Sequence, residues 1–174
     1  QLEALASFEQ NRGFGDHVVE MFTPPRVVPR ARAQGLQASV SMDILQGWDL
    51  GSVEGRTQAW RTLETNQPLL VILSPPCTLF SILQNLNAKF MRSETGMKLM
   101  ALAKDFLEFC MAVAEWQVRL GRYFLFEHPS GATSWTEACV SRVLELPSVH
   151  RVVTHFCRFG LKSPDGSALL RKNT

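Results

Sequence analysis

Residues 69–84, LLVILSPPCTLFSILQ, constrain the fold more than any other part of the chain. The stretch begins with five consecutive apolar residues, which predict a strand buried on both faces of a sheet, because a half-exposed strand would alternate apolar and polar side chains. Two prolines, Pro75 and Pro76, come after Ser74, and neither can donate a hydrogen bond to a neighbouring strand. The strand is therefore expected to end in a stiff loop that carries Cys77.

Cys77 is the strongest chemical candidate in the sequence. It follows the end of the predicted buried strand, and open α/β sheets bind their ligands at the carboxyl ends of strands. A cysteine without a disulfide is also among the commonest buried packing residues. Considered alone, Cys77 therefore has two interpretations of similar weight, a reactive thiol and a small core residue.

The length and composition are those of one ordinary globular domain. The chain has 174 residues and a formal net charge of +2, so bulk charge does not indicate nucleic acid, although a local basic patch can still bind it. Residues 1–16 are polar and are predicted to be a lead-in segment, and residues 17–174 are predicted to form a single domain. The chain begins and ends without a clear signal, which is compatible with a fragment of a longer protein.

The cysteine pattern predicts reduced thiols in an intracellular protein. The expected compartment is the nucleus in a eukaryote, or the cytoplasm if the source is bacterial or viral. The cysteines are scattered, without a Cys-x-x-Cys pair or a recognisable secretory segment. They are Cys77, Cys110, Cys139 and Cys157. Cys110 and Cys139 lie in helical patterns and are expected to be packing residues. No apolar run approaches the roughly 20 residues of a membrane-spanning helix, so no membrane partner is expected.

Strand and helix patterns alternate along the chain, which predicts an α/β fold with a doubly wound, mostly parallel sheet. The predicted strands are residues 17–22, 36–40, 69–73, 123–126 and 149–156, and the apolar sequence of 123–126 predicts that this strand is buried. The predicted helices are residues 26–34, 55–65, 93–120 and 135–144, with Gly35 and Gly121 as C-terminal caps and a turn or short strand at residues 47–50. Pro29 is expected in the first turn of its helix.

Polar and reactive residues follow the predicted strands, and the carboxyl ends of parallel strands meet at one edge of a sheet. The residues at or after the predicted strand ends are Glu20, Phe22, Asp43, Asp49, Ser74, Cys77 and Glu127. Glu127 directly follows four apolar residues and should lose part of its solvent. Desolvation favours a protonated carboxyl, so Glu127 is a candidate proton donor to accompany a thiol nucleophile. A solvated loop charge is the alternative interpretation of Glu127.

The order of these strand ends resembles the catalytic domain of the DNA (cytosine-5) methyltransferases, which have a Rossmann-like class I methyltransferase fold. That family has a Pro-Cys loop after its fourth strand, usually continuing to Phe-Ser, and Pro76, Cys77, Phe80 and Ser81 match it. A Glu-Asn-Val motif follows its fifth strand, and Glu127 stands in the place of that glutamate. The resemblance extends from about residue 17 to the end of the chain.

The resemblance implies methylation of cytosine C5 in DNA, with RNA as the alternative nucleic acid. Cys77 would form a covalent bond to cytosine C6, Glu127 would hydrogen-bond the exocyclic amine and N3, and Pro76 would fix the loop. Arg171 is the counterpart of the arginine that follows the family's sixth strand, with Arg158 as a second candidate. A target base within a duplex would have to be flipped out.

The same resemblance implies that S-adenosylmethionine is the cofactor. Glu20 and Phe22 correspond to the family's Asp-Leu-Phe motif after its first strand. Asp43 corresponds to the acid that holds the cofactor ribose, and Asp49 to the acid near the adenine. Ser74 is the remaining cofactor-binding candidate, at the end of the central strand.

Three departures from the family are evident in the sequence. Residues 23–26, Thr-Pro-Pro-Arg, replace a glycine-rich loop, His128-Pro129 replaces Asn-Val, and no target recognition domain of the usual size follows. Two alternatives therefore stay open. One is an amino methyltransferase acting on adenine N6 or cytosine N4. Those enzymes have a Ser/Asp-Pro-Pro-aromatic motif, and residues 74–76 match its first three positions. The other is a non-catalytic nucleic-acid-binding or protein-binding module of the same fold.

The histidines do not predict a metal site. They have no metal-ligand spacing with the cysteines, so each is expected to be a core or surface residue. They are His17, His128, His150 and His155. Neither the target sequence nor the oligomeric state follows from any of these patterns.

Overall fold

The computed structural model describes residues 16–169 and 173–174, apart from the side chain of Asn85. The chain divides into two compact units. Unit 1 contains the described residues up to Ser74 together with Ala114–Leu125. Unit 2 contains Pro75–Val113 and the described residues from Phe126 onward.

A four-stranded, all-parallel sheet is the framework of unit 1. Its strands are β1 (Val18–Met21), β2 (Ala38–Met42), β3 (Leu70–Leu73) and β4 (Tyr123–Phe126), in the order β2-β1-β3-β4. The order runs outward from β1 in both directions, which places a topological switch point between β1 and β3. The predicted parallel sheet of an α/β protein is confirmed.

Helix α1 (Val27–Ala33) connects β1 to β2 and packs through its apolar side. Its Val28 and Ala31 form a buried cluster with Val18 and Ala38, against which half-buried residues pack. Pro29 lies in the first turn, where its missing N–H costs no helical hydrogen bond, as predicted. Gly35, at a φ of +81°, follows the helix end as the sequence predicts.

Helix α2 (Val53–Asn66) connects β2 to β3 and begins at a tightly packed turn. The Ser52 hydroxyl accepts a hydrogen bond from the Gly55 amide at 3.0 Å, which caps the helix. A Cβ atom at Gly55 would lie 1.9 Å from the carbonyl oxygen of Asp49. Glycine at this position therefore permits the close approach of the Asp49 turn to the helix.

Helix α4 (Glu94–Arg119) crosses the boundary between the units, and its last turns belong to unit 1. Gln117 is fully buried there, and its Nε2 donates to the carbonyl oxygens of Pro68 at 3.1 Å and Tyr123 at 2.8 Å. The side chain therefore ties the end of α4 to the segments that enter β3 and β4. Trp60 of α2 contacts Trp116 edge to face, with ring centroids 5.8 Å apart.

Unit 2 consists of helices and short 3-10 turns. Its helices are α3 (Ala88–Met91), the first five turns or so of α4 and α5 (Ala138–Leu144). Its 3-10 turns are Thr78–Phe80, Ile82–Asn87, Thr133–Thr136 and Phe156–Phe159. Its buried apolar residues include Phe80, Leu107, Cys110, Met111, Val113, Val140 and Val143.

Burial differs from the prediction in two strands. In β3, residues alternate between buried and half-buried, so the strand is less enclosed than its continuous apolar sequence suggests. In β4, Tyr123 and Leu125 are 54% and 49% exposed, and the prediction of a buried strand is wrong. The reason is position, because β4 is at the edge of the sheet and has a neighbouring strand on one side only.

Three predicted boundaries or elements also differ. Strand β2 begins and ends two residues later than residues 36–40. The predicted helix over residues 135–144 is interrupted at Glu137, whose extended backbone separates a 3-10 turn from α5. Residues 149–156 do not form a strand, and only His155 makes an isolated bridge, to Asn173. Val152 and Val153 are 76% and 54% exposed, so their strand propensity is not supported by burial.

Of the helices in the described part of the chain, none is long and apolar enough to cross a membrane.

Candidate active site

Glu20 organises the segment that follows β1 in unit 1. It is fully buried, although it carries a carboxyl group. Its two oxygens accept hydrogen bonds from the backbone amides of Arg26 at 2.9 Å, Val27 at 3.0 Å and Val28 at 3.2 Å. The hydroxyl of Ser41 on β2 donates a fourth bond at 2.5 Å. The carboxyl group therefore binds the first turn of α1 and orders residues 23–26. These residues replace the glycine-rich loop of the family that the sequence resembles.

Phe22 has an unusual backbone conformation at the end of β1. Its φ is +61°, in the left-handed region that glycine favours. Its amide donates to the carbonyl oxygen of Met42 at 2.9 Å, which holds the residue beside the end of β2. For a residue with a Cβ atom this conformation costs about 1–2 kcal/mol. Such strain is concentrated at functional sites, and Phe22 is one of the residues predicted to contact a cofactor.

Two substitutions separate the strain at Phe22 from the contacts of its ring. Both Phe22→Gly and Phe22→Ala remove the ring, but only glycine adopts this conformation without a Cβ penalty. We expect the glycine variant to be more stable than the alanine variant by about 1 kcal/mol, measured from urea unfolding. Equal unfolding midpoints for the two variants would show that the backbone at residue 22 is not strained.

Of the other predicted cofactor residues of unit 1, Asp43 and Ser74 lie just beyond strand ends, and Asp49 lies on the turn that leads to α2. Asp43 follows β2, is 9% exposed, and accepts a hydrogen bond from the Leu45 amide at 2.9 Å. Asp49 is exposed and accepts one from the Gly51 amide at 3.0 Å. Ser74 follows β3 and its amide donates to the Met21 carbonyl at 3.2 Å. The first three strands therefore each end in a predicted site residue.

The segment that carries Asp49 is a turn between β2 and α2 and not a strand. The predicted Pro-Cys loop consequently follows the third strand of this chain, whereas the resembling family has it after the fourth. Within residues 16–169 and 173–174 no strand stands in the place of the family's third one. The position of Asp49 relative to the sheet thus departs from the family pattern.

Cys77 begins the 3-10 turn Thr78–Phe80 in unit 2. The residue is half-buried, so it differs from Cys110, which is fully enclosed in the core. Its carbonyl oxygen accepts a hydrogen bond from the Phe80 amide at 3.0 Å. Pro75 before it is buried and Pro76 is exposed. Cys77 is therefore less enclosed than Cys110, and both interpretations of it, a reactive thiol and a packing residue, stay open.

The other cysteines differ from Cys77 in chemistry or position. Burial raises the pKa of the Cys110 thiol well above its usual value and also raises the pKa of Cys139, with smaller contributions from neighbouring groups. Both thiols are therefore kept protonated and are poor nucleophiles, in agreement with their predicted packing role. Cys157 is half-buried, on the 3-10 turn Phe156–Phe159.

Glu127, the first residue after β4, is half-buried, which agrees with the expected partial loss of solvent. Its carboxyl group accepts a hydrogen bond from the hydroxyl of Thr174. The same hydroxyl lies 2.8 Å from the carbonyl oxygen of His128. A hydroxyl has one hydrogen, so the Thr174 hydroxyl donates to one of these two oxygens at a time. Thr174 therefore lies beside the first two residues after β4.

His128 links the two loops that carry Cys77 and Glu127. It is 1% exposed, and its Nε2 lies 3.2 Å from the carbonyl oxygen of Pro75. Its Nδ1 lies 2.7 Å from the hydroxyl of Ser134, which is fully buried. A carbonyl oxygen only accepts, so Nε2 carries the hydrogen, and Nδ1 accepts from the serine hydroxyl. His128 is a core residue, and its hydrogen bond to the Cys77 loop was not foreseen.

The imidazole plane is held by aromatic neighbours. It stacks on Phe126, with ring centroids 4.9 Å apart and an interplanar angle of 26°. Phe80 lies on another side at 5.8 Å. A second link between the loops is the hydrogen bond from the Thr133 hydroxyl to the Phe80 carbonyl at 3.3 Å. Residues on both sides of Cys77 are thus fixed by the segment that follows Glu127.

The environment of His128 predicts a pH dependence of stability. Burial lowers the pKa of His128, while the hydrogen bond to Pro75 and the charge of Glu127 act in the opposite direction. Because this pKa is lower in the folded than in the unfolded chain, the unfolded chain binds more protons at mildly acid pH. The resulting stabilisation is complete above about pH 6.5, the ordinary value for histidine, and is lost as the pH falls through the folded-state pKa.

We expect the free energy of unfolding to decrease from about pH 7 to about pH 5 more steeply in the parent chain than in His128→Phe, which has no titrating group at this position. Urea unfolding at a series of pH values measures both slopes. The two chains differ only at residue 128, so the difference between the slopes reports the replacement of the histidine. Identical slopes would contradict the assignment of a neutral buried imidazole.

The arginine predictions have different outcomes. Arg171 lies outside the described residues, and Arg158 is exposed on the turn Phe156–Phe159. Arg151, which the sequence did not single out, lies over the ring of Trp135 at 4.2 Å and donates to the Ser130 carbonyl at 2.7 Å. In the sequence, Arg151 was distinguished only as a basic residue within the predicted strand 149–156, which does not form. Arg151 is therefore a cation fixed next to the loop that carries Glu127.

Comparisons with models of protein families, with curated proteins and with solved structures gave no match. Within the described residues, no group of three or more His, Cys, Asp or Glu side chains is placed to bind a metal ion.

Proposed function

We propose that the protein is an S-adenosylmethionine-dependent methyltransferase that acts on C5 of cytosine in DNA. The observation that carries the proposal is in unit 2, where the loop of Cys77 is hydrogen-bonded through His128 to the segment that begins with Glu127. This gives a half-exposed thiol on a stiff loop and a half-buried carboxyl group on a connected one. The strand order around β1 agrees with a doubly wound sheet, as a class I methyltransferase fold requires.

The residues of unit 1 fit the cofactor in their chemistry. Asp43 and Asp49 offer carboxylate oxygens that accept bonds from ribose hydroxyl or adenine amino groups, and each already has one backbone donor that orients it. Phe22 offers an aromatic ring at a strained strand end. Glu20 uses its oxygens on α1 and Ser41, so we assign it the ordering of the loop rather than direct contact. When bound, S-adenosylmethionine supplies an electrophilic methyl group.

The proposed reaction follows from the chemistry of Cys77 and Glu127. The Cys77 thiolate attacks cytosine C6 and forms an S–C6 bond, while the electron pair of the C5–C6 double bond moves into the ring and N3 takes a proton from Glu127. C5 is then nucleophilic. After C5 has been methylated, its proton leaves to solvent, the double bond reforms, the S–C6 bond breaks and the N3 proton returns to Glu127. The thiolate and the carboxylic acid are regenerated.

The amino methyltransferase alternative is less well supported. Its motif has an aromatic side chain after the two prolines, whereas Cys77 occupies that position here. The nearest following aromatic residue, Phe80, is 1% exposed and so cannot stack on a base in this structure.

The test is covalent trapping of the full chain on a DNA duplex that contains 5-fluorocytosine, in the presence of S-adenosylmethionine. Fluorine at C5 cannot leave as a proton does, so the final elimination is blocked and the protein stays attached to DNA. We expect an adduct resistant to denaturation, with the modified peptide containing Cys77 by mass spectrometry. A folded chain that binds cofactor and DNA but forms no adduct would exclude this mechanism.

A further inference from the structure

We infer that His128, whose other ring nitrogen is hydrogen-bonded to Ser134, is a positioning residue that sets the conformation of the Cys77 loop through the carbonyl group of Pro75. The catalytic part of this inference rests on the proposed function, whereas the hydrogen bond from His128 to the Cys77 loop does not depend on the substrate. The sequence replaces a family asparagine by this histidine, and the resemblance assigns no role to it.

The hydrogen bond acts on a loop with few remaining degrees of freedom. The rings of Pro75 and Pro76 fix φ near −65° at two successive residues, so the path from the end of β3 to Cys77 is determined mainly by the ψ angles of the prolines. A hydrogen bond at the Pro75 carbonyl oxygen sets the orientation of that peptide and hence the first of these angles. The direction in which the chain presents Cys77 therefore depends on the donor at Nε2 of His128.

The histidine is itself fully constrained. Both ring nitrogens have a partner, at 3.2 Å to Pro75 and 2.7 Å to Ser134, and the plane is fixed by Phe126. The Pro75 carbonyl only accepts, so it requires the hydrogen on Nε2, and the Ser134 hydroxyl at Nδ1 holds the ring in the orientation that makes this bond. In addition, the Phe80 ring beside the imidazole ends the turn that Cys77 begins. The imidazole thus contacts the chain on both sides of the thiol.

The first test measures the reactivity of the Cys77 thiol and needs neither DNA nor cofactor. Each variant is alkylated with iodoacetamide, and the modification of individual cysteines is followed by peptide mass spectrometry. Cys157, which is half-buried and does not adjoin His128 in sequence, is the internal control. In His128→Phe, which keeps an aromatic ring but has no hydrogen-bond donor, we expect Cys77 to react about tenfold faster. A tenfold change corresponds to about 1.4 kcal/mol of free energy.

Two milder variants distinguish positioning from a general packing role. Ser134→Ala removes the hydrogen bond that orients the ring at Nδ1 but keeps the imidazole, and we expect a smaller increase in Cys77 reactivity. His128→Asn replaces the ring by a shorter side chain that still has an amide donor, and we expect it to restore most of the parent reactivity. If His128→Phe does not fold, Ser134→Ala alone decides, because a folded alanine variant with unchanged Cys77 reactivity overturns the inference.

Steady-state kinetics then connect the loop to catalysis. A thiol displaced by about 1 Å can lower kcat by about 100-fold, so we expect a loss of this order in His128→Phe with little change in KM for DNA. A rise in KM without a fall in kcat would overturn the positioning role. If the parent chain transfers no methyl group but the alkylation rates change as expected, the loop inference stands and the proposed function fails.

Discussion

Replacement of Cys77 by serine is expected to abolish both methyl transfer and covalent trapping on 5-fluorocytosine DNA. A cysteine is partly ionised near neutral pH and intrinsically nucleophilic, whereas a serine hydroxyl without an adjacent base is neither. Losses of several orders of magnitude are usual when a covalent nucleophile is removed. The measurement is transfer of labelled methyl groups to a cytosine-containing duplex, with detection of the adduct by denaturing electrophoresis.

The matched control is Cys157→Ser, which removes another half-buried thiol from unit 2. It should retain activity and trapping, and circular dichroism of both variants establishes that they are folded. Methyl transfer that persists in Cys77→Ser, with the product on an exocyclic amino group, would replace the proposed reaction by that of an amino methyltransferase. A folded parent chain that binds neither S-adenosylmethionine nor S-adenosylhomocysteine by calorimetry would indicate a non-catalytic module.

The largest effect on stability is expected at Glu20. Glu20→Ala deprives three backbone amides and the hydroxyl of Ser41 of their acceptor. The amide of Val28 and the hydroxyl of Ser41 belong to buried residues, so water replaces the carboxylate poorly there. Each buried donor left without a partner costs about 1–3 kcal/mol, and we expect a total loss of about 4 kcal/mol. Urea unfolding followed by circular dichroism measures it.

Glu20→Gln tests the origin of this effect. The side chain keeps its size, but its NH₂ group is a donor and cannot replace the second acceptor oxygen, so we expect an intermediate loss of stability. Glu64→Gln, on the exposed side of α2, is the control and should lie within about 0.5 kcal/mol of the parent chain. A Glu20→Ala variant as stable as this control would show that the carboxyl group does not hold the start of α1.

The elements that the sequence predicted well have strong local signals. Helix α4 differs from its predicted range by one residue at each end, because its apolar residues recur at three- and four-residue steps. The start of α1 near Pro29 and its end before Gly35 follow from backbone preferences of single residues. The prediction of a strand over residues 149–156 was wrong for the opposite reason. β-branched residues favour a strand only where a neighbouring strand pairs with them and their side chains are buried.

The candidate site was foreseen in part. Cys77 and Glu127 were selected because prolines and apolar runs mark strand ends. The structure places Glu127 directly after β4 and Cys77 on the loop that follows β3. The partners of Glu20 and the bonds of His128 were not predictable, because they join residues far apart in the chain. His128 in particular is bonded to Pro75 and Ser134, and its sequence neighbours give no indication of the former.

The sequence by itself determined where strands stop and which reactive side chains stand at those points, because proline, glycine and apolar runs act through the local backbone. Only the tertiary structure decided which face of a strand is buried, which carboxyl group accepts hydrogen bonds from backbone amides, and which side chain is hydrogen-bonded to the Cys77 loop. Those properties depend on what packs beside a residue in space, and hydrogen bonds over such separations form only once the fold has brought their partners within about 3 Å.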